Sequence, residues 1–170
     1  RDRLWRGRWP AHGGFVVGTL GVCAAMATWC FLNLGTPQFH DVTAGRGTWL
    51  HHYDMRTYFP IAKYFPELRF DGVYGASVLA VADGKNLDLF DGQPLRDLRT
   101  HVLTNVRDSK AHLLELRARF SPERWALFLE DMQYFRRAMG DGGFLGSMND
   151  HGGNATPVWF LSARAIFANA

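Results

Sequence analysis

The chain lacks the short motifs that mark the most familiar enzymes. It contains no G-x-S-x-G, H-E-x-x-H, C-x-x-C or C-x-x-C-H sequence, which excludes the simplest hydrolase, metalloprotease, thiol redox and haem-attachment functions. Its two cysteines, Cys23 and Cys30, both lie in one apolar run. On a helix they would be about 10 Å apart, too far for a mutual disulfide. Cysteine therefore gives no information about the redox compartment.

Charge is absent from residues 13–34, an apolar run of 22 residues. As a helix this run would be about 33 Å long, enough to cross a hydrocarbon core of about 30 Å. We therefore expect a transmembrane helix over residues 13–34. The alternative is a cleaved signal peptide, whose apolar core is usually about 7–15 residues long and ends at small residues. Trp29, Cys30 and Phe31 stand where those small residues would be needed, which favours an uncleaved anchor.

The excess positive charge is confined to the first eight residues. The whole chain has 19 Lys and Arg against 16 Asp and Glu, a net charge of +3. Residues 1–8 carry all of it, and the basic residues there are Arg1, Arg3, Arg6 and Arg8. The neutral remainder lacks the basic face that nucleic-acid binding needs, so we expect no nucleic-acid partner. The four arginines are expected to contact anionic lipid headgroups.

The same arginines predict the orientation of the chain. Basic residues beside a first membrane helix remain in the cytoplasm. We therefore expect a cytoplasmic basic segment over residues 1–12 and a periplasmic domain over residues 35–156, at the inner membrane of a bacterium. Residues 157–170 are expected to form an interfacial helix, with Trp159 and Phe160 in lipid and Arg164 at the headgroups, or the start of a second membrane helix.

The expected fold is mainly α, with one transmembrane helix and a mostly helical extramembrane domain with little β structure. The clearest local signal is Ser121-Pro122-Glu123, which predicts the start of a helix that ends at Gly140. Five residues in it recur at alternating spacings of three and four and predict one buried face: Trp125, Phe128, Met132, Phe135 and Met139.

Other boundaries are predicted from proline, glycine and aspartate. Pro60 is expected to break or kink a helix that begins near Tyr53, and Pro66 to end it. Asp71 is expected to cap the next helix. Residues 95–106 are the best strand candidate, and residues 140–153 are expected to form a glycine-rich loop.

Small residues predict a helix contact inside the membrane. Gly14 and Gly18 form a G-x-x-x-G pair, and Gly21 and Ala25 continue the series of small side chains. Such residues let a second helix approach closely. Other membrane protein subunits and the lipid bilayer are therefore the expected partners.

No group of residues in the sequence is a strong candidate for a catalytic, metal or phosphate site. Asp54 is a candidate general base, with Lys63 or Arg56 as neighbours for an anionic group. The His51-His52-Tyr53-Asp54 segment supplies two metal ligands at most, fewer than a tetrahedral site needs. Glycine pairs at 142–143 and 152–153 match no phosphate-loop spacing. We expect neither a metal nor a cofactor.

Three segments carry a resemblance to known proteins. They are YDMRTYFPIAKYFPEL at 53–68, RFSPERW at 119–125 and DHGGNATPVW at 150–159. With them the chain resembles the N-terminal part of large uncharacterised bacterial multi-pass membrane proteins, which are distantly similar to membrane glycosyltransferases of the C superfamily. That resemblance implies a periplasmic loop with an acidic catalytic residue after the first membrane helix, and Asp54 matches its position. No second acidic residue follows directly, and Pro60 is unusual in the matching helix.

Two functions follow from these observations. The favoured one is a non-catalytic, membrane-anchored periplasmic accessory or scaffold subunit of a larger membrane complex, such as an energy-converting photosynthetic or respiratory complex. The alternative is the N-terminal fragment of a polyprenyl-phosphate-sugar-dependent transferase with Asp54 as base. Transferases of that type build their lipid-sugar pocket from later membrane helices, and these 170 residues contain no such series of helices, which favours the subunit.

Overall fold

A computed structural model of the chain describes residues 13–168 and confirms a mainly helical fold. The helices are α1 (Gly13–Phe31), α2 (His52–Lys63), α3 (Phe65–Leu68), α4 (Val73–Ala82), α5 (Val106–Arg117), α6 (Pro122–Gly146) and α7 (Pro157–Phe167). The strands are β1 (Phe39–Asp41), β2 (Arg46–Thr48), β3 (Pro94–Asp97) and β4 (Val102–Asn105). The chain divides into two compact units, Arg1–Gln38 and Phe39–Ala170. Residues 1–12, with the four N-terminal arginines, lie outside the described residues.

The first unit contains α1, a helix of 19 residues with no buried side chain. It ends at Phe31, three residues before the end of the predicted span, and a short 3-10 helix follows at Asn33–Gly35. By length and composition α1 can cross a membrane, and no other helix of residues 13–168 meets that criterion.

The second unit is built around α2, α4, α5 and α6. The predicted stripe on α6 is confirmed, since Trp125, Phe128, Met132 and Phe135 are all at most 5% exposed, while Met139 is partly buried against the same core. Ser121 caps the helix by accepting a hydrogen bond from the backbone N–H of Arg124 at 3.2 Å. The local sequence thus determines both the start of α6 and the face that it buries.

Two antiparallel hairpins supply the β structure. β1 pairs with β2 and β3 with β4, with Leu95 opposite Thr104 in the second hairpin. The strand expected over residues 95–106 is therefore two strands joined by a turn. The first hairpin was not predicted, because strands of three residues are too short to show alternation in a sequence.

Proline produced two wrong boundary predictions. α2 is not broken at Pro60, which is buried within it, and the Tyr64 N–H donates to the Pro60 carbonyl at 2.8 Å. Inside a helix proline lacks an N–H and its ring crowds the carbonyl four residues earlier, and burial of Pro60 in the core offsets this cost. Pro66 lies in the first turn of α3 instead of ending a helix, a position where its missing N–H is not needed.

The glycine and aspartate predictions also need correction. Gly72, and not Asp71, precedes α4, and no side chain caps that helix. Gly140 does interrupt α6, with φ of 71°, but the chain resumes a helical conformation up to Gly146. A positive φ is easily adopted by glycine and lets the chain change direction between two helical segments. The predicted loop over residues 140–153 is therefore largely helical.

Candidate functional site

Asp54, the proposed general base, lies in the first turn of α2 at the surface of the domain. Its Oδ2 atom is 2.7 Å from Nδ1 of His51, and the two side chains are 49% and 43% exposed. The His51 ring stacks on the ring of Phe39 at a centroid distance of 4.3 Å. The carboxylate is therefore held by an imidazole and by solvent, a surface contact of the kind that contributes roughly 0–1 kcal/mol to stability.

Arg56, one half-turn further along α2, is completely buried. Its Nε donates to Oγ of Ser147 at 2.6 Å, and its Nη1 donates to Oγ of Ser77 at 3.4 Å. The guanidinium carbon lies 4.6 Å from the ring centroid of Tyr74 and 5.4 Å from that of Phe144. Arg56 thereby joins α2 to α4 and to the C-terminal end of α6.

The two serine hydroxyl groups are oriented as acceptors for this guanidinium. The Ser77 hydroxyl donates to the Val73 carbonyl and the Ser147 hydroxyl to the Phe144 carbonyl, each at 2.6 Å. A hydroxyl has one proton and two acceptor sites. With the proton used on a carbonyl, each oxygen presents a lone pair to Arg56. The cation is thus solvated by neutral groups.

No carboxylate compensates the charge of Arg56 at close range. Within residues 13–168, no Asp or Glu oxygen forms an ion pair with it, and its Nη2 atom is buried without a hydrogen-bond partner. Burial lowers the pKa of Arg56 to about 10, against the opposing effects of Tyr74, Tyr53 and Asp150. A buried cation without a charged partner is costly to the fold.

A second set of charged groups ties α2 and α3 to α6. Lys63 Nζ lies 3.0 Å from Oδ2 of Asp131, and the Tyr64 hydroxyl donates to the same oxygen at 2.6 Å. Arg124 donates to both carboxylate oxygens of Glu67, at 2.8 and 3.3 Å. Burial and the hydrogen bond to Asp131 raise the pKa of Tyr64. These groups serve as internal ties between helices.

The expectation that Lys63 or Arg56 binds an anionic group next to Asp54 is therefore wrong for this arrangement. Lys63 is 6% exposed and Arg56 is fully buried, so neither presents its charge to solvent. Spacing along α2 could not reveal this, because the partners of both side chains lie more than 65 residues away or on another helix and are brought in by tertiary packing.

The remaining sequence candidates are not brought together. Within residues 13–168, no group of three or more His, Cys, Asp and Glu side chains is arranged to hold a metal ion. Gly142 and Gly143 belong to the last helical segment of α6. A Cβ atom on Gly153 would lie 2.8 Å from the ring of Tyr58. That glycine is needed for close packing of backbone against an aromatic ring, and not as a phosphate cradle.

Sequence reasoning missed a pocket of about 370 Å³ between α4, α5 and the β3–β4 hairpin. Its floor is apolar, with Leu95, Leu113 and Leu116 buried. At its rim, Arg99 Nε lies 3.4 Å from Asp97 and 3.7 Å from Asp71. Two carboxylates thus share one guanidinium at the rim. No local signal in the sequence indicated the pocket, since its walls come from three separate segments.

An uncovered apolar face on α7 is the most unusual surface of the domain. The outward-facing residues are Pro157, Val158, Leu161, Ser162, Ala165 and Ile166. Val158, Leu161 and Ile166 are 70%, 71% and 70% exposed. A helix on the surface of a water-soluble domain normally turns polar residues outward, and this face has a single polar side chain.

A groove of about 180 Å³ runs beside this face. It is lined by Ile61, Ala62, Phe65, Phe70, Pro157, Phe160, Leu161 and Arg164. The guanidinium carbons of Arg164 and Arg69 lie 5.9 and 5.7 Å from the ring centroid of Phe65. The groove is thus apolar inside, with two cations at one aromatic ring on its edge.

Comparisons with known proteins give no independent guide to this surface. No protein-family model, no curated protein and no solved structure matches the chain.

Proposed function

We propose that this chain is a membrane-anchored, non-catalytic accessory or scaffold subunit of a larger bacterial membrane protein complex. The observation that carries the proposal is α1, a 19-residue apolar helix that has no buried residue. A helix that is apolar on all sides is stable in lipid or against other apolar helices.

The small-residue face of α1 supports contact with other subunits. Cβ atoms placed on Gly14, Gly18 and Gly21 would meet no atom within 4 Å among the described residues. Together with the exposed Ala25, these positions leave room for a second helix to approach the α1 backbone. The expected partner is therefore a membrane helix of another subunit.

The charges of the second unit support a non-catalytic role. Lys63, Glu67 and Arg124 are engaged with neighbouring elements and hold the domain together. Asp54 is solvated and paired with His51. Groups held in this way stabilise a rigid domain, which suits a scaffold.

The location can be tested with fusions to the C-terminus of the full chain. We expect an alkaline phosphatase fusion to be active and a green fluorescent protein fusion to be dark in a bacterial host. The positive residues at positions 1–8 should retain the N-terminus in the cytoplasm, which places the C-terminus in the periplasm. The chain should also resist extraction by alkaline carbonate. The reverse reporter pattern would refute the periplasmic location, and release by carbonate would refute the anchor.

The subunit role can be tested on native gels of mildly solubilised source membranes. The unmodified chain should migrate in a large complex. Replacing Gly14 and Gly18 together by leucine should release it, since the added side chains block close helix approach. The matched control replaces Val16 and Val17 by leucine on the same helix and should leave the complex intact. Migration of the unmodified chain as a monomer would refute the proposal.

The alternative proposal, an N-terminal fragment of a polyprenyl-phosphate-sugar-dependent transferase, is favoured by one observation. Asp54 lies in an accessible first turn, hydrogen-bonded to His51 at 2.7 Å, where a carboxylate can accept a proton from an acceptor hydroxyl. This proposal requires further apolar spans encoded after Ala170. A stop codon directly after Ala170 in the gene would eliminate it.

A further inference from the structure

We infer that the outer face of α7 and its groove lie in the interfacial layer of the bilayer, with Arg69 and Arg164 at anionic phospholipid headgroups. The inference rests on the proposed function in one respect, the membrane insertion of α1. It extends that proposal to a second membrane contact, made by the extramembrane domain itself.

The first step is the apolar character of both sides of α7. On the inner side, Phe160 and Ala163 are 7% and 5% exposed and belong to the core. On the outer side, Leu161 and Ile166 are among the most exposed large apolar residues of the domain. A helix whose inner side is in the core and whose outer side is mostly aliphatic is more stable when the outer side also has an apolar environment.

The second step is the reach of the chain. α1 ends at Phe31 and the second unit begins at Phe39. The seven residues between them span at most about 25 Å when fully extended. A bilayer that contains α1 is therefore always within reach of the domain, whereas a soluble partner must be recruited. This favours lipid as the occupant of the apolar face.

The third step is charge. Neither α7 nor the groove contains an acidic residue. Glu67, on the neighbouring helix α3, is 8% exposed and paired with Arg124. Arg69 and Arg164 are thus the charges at the edge of the groove, and both are positive. Cations above an apolar surface are the pattern that binds anionic lipid headgroups.

The structure changes which side chains would enter the lipid. Trp159 and Phe160 were the residues expected from the sequence, but Phe160 is buried in the core and Trp159 packs against Tyr58 at a centroid distance of 5.4 Å. The residues that face outward are instead Val158, Leu161 and Ile166. The interfacial contact is therefore aliphatic.

Spin labels on the full chain in single-copy nanodiscs test the inference. Both native cysteines are replaced by alanine, and one cysteine is introduced as Leu161→Cys, Phe15→Cys or Leu89→Cys. Phe15, on α1, and Leu89, on the second unit, are each 77% exposed and serve as lipid and water references. Relaxation by oxygen and by a water-soluble nickel chelate measures the depth of each label.

We expect the label at position 161 to resemble the one at position 15, with at least a threefold higher ratio of oxygen to nickel accessibility than at position 89. A water-like ratio at 161 with a lipid-like ratio at 15 would overturn this inference and leave the proposed anchor intact. Water-like ratios at positions 161 and 15 would overturn both this inference and the proposed anchor. Protection of 161 from both reagents would indicate a protein contact and would also overturn it.

The headgroup contact is tested by lipid composition. With the Leu161→Cys label, adding phosphatidylglycerol to phosphatidylcholine nanodiscs should increase the depth of the label. Changing Arg69 and Arg164 together to glutamine should abolish that response. The control variant changes two other exposed arginines, Arg46 and Arg107, to glutamine. Its label should still move deeper when phosphatidylglycerol is added. An equal response in the two double variants would refute the assignment of these two arginines.

Discussion

Replacing Arg56 by methionine should leave the stability of the domain unchanged or raise it by up to about 2 kcal/mol. Among residues 13–168, the buried guanidinium has no carboxylate partner and one of its nitrogens is unpaired. Apolar residues of similar volume often replace buried charges at no cost or with a gain of about 1–4 kcal/mol. The serine protons are already donated to carbonyls, so removing the guanidinium leaves no buried donor unpaired.

Alanine at the same position should instead cost about 3 kcal/mol. It removes the burial cost of the charge, but it also removes the side chain that fills the space between Tyr74 and Phe144. Large-to-small changes in a core cost about 2–5 kcal/mol, whereas the loss of the cation–π contacts is common to the alanine and methionine variants. The difference between the methionine and alanine variants thus measures packing, and the difference between methionine and wild type measures charge.

The assay is urea unfolding of the full chain in nanodiscs, followed by tryptophan fluorescence, for which Trp125 is a buried reporter. Arg107→Met, at a side chain that is 72% exposed, is the control and should change stability by less than about 0.5 kcal/mol. A loss of 3 kcal/mol or more in Arg56→Met would refute the reasoning, since it would show that the polar contacts of the guanidinium outweigh its burial cost.

The pH dependence provides a second measurement on the same variant. The pKa of Arg56 is lowered to about 10 in the folded chain. In the pH window that starts there and extends up to the higher, ordinary pKa of an unfolded arginine, the unfolded chain holds the extra proton. Stability from this group therefore rises with pH in that window. Any advantage of Arg56→Met over wild type should shrink as the pH rises above 10.

Two further predictions follow from close contacts and from titration. Gly75→Ala should destabilise the domain by about 1–3 kcal/mol, because its Cβ atom would lie 2.7 Å from Cδ2 of Leu113. The control is Gly92→Ala, where a Cβ atom has open space and should not lower stability. Equal effects of the two variants in a denaturation assay would contradict the packing argument. The pKa of Tyr64 is raised by burial and by its hydrogen bond to Asp131. The stability that Tyr64 contributes is therefore fully present well below the pKa of an unfolded tyrosine, about 10, and is lost as the pH rises through and above that value. Between pH 9 and 11 the free energy of unfolding should fall less in Tyr64→Phe than in wild type. Equal falls in the two proteins would refute the assignment of this pH dependence to Tyr64.

Local patterns were sufficient for much of the fold. The uncharged run of residues 13–34 predicted α1, and the Ser121-Pro122-Glu123 cap predicted the start of α6 at the correct residue. These features depend on neighbours within a few positions, so the sequence contains the information directly. Pro60 was misread because the rule for proline describes an isolated helix, whereas α2 is held on its buried side by the core.

The candidate sites depended on distant contacts and could not be read in the same way. Arg56 is joined to Ser147 across 91 positions and to Ser77 across 21. A basic residue between Asp54 and Lys63 looks like a surface charge in a linear chain. Only the packing of α2 between α4 and α6 makes it a buried cation.

The sequence by itself determined that this chain carries one apolar helix long enough for a membrane, followed by a neutral, aromatic-rich and mainly helical region. Composition, charge and helical periodicity are local properties, and each follows from the order of the residues. Only the tertiary structure decided that Phe160 turns inward while Leu161 and Ile166 stay exposed, because the orientation of an apolar helix depends on the surface that it packs against.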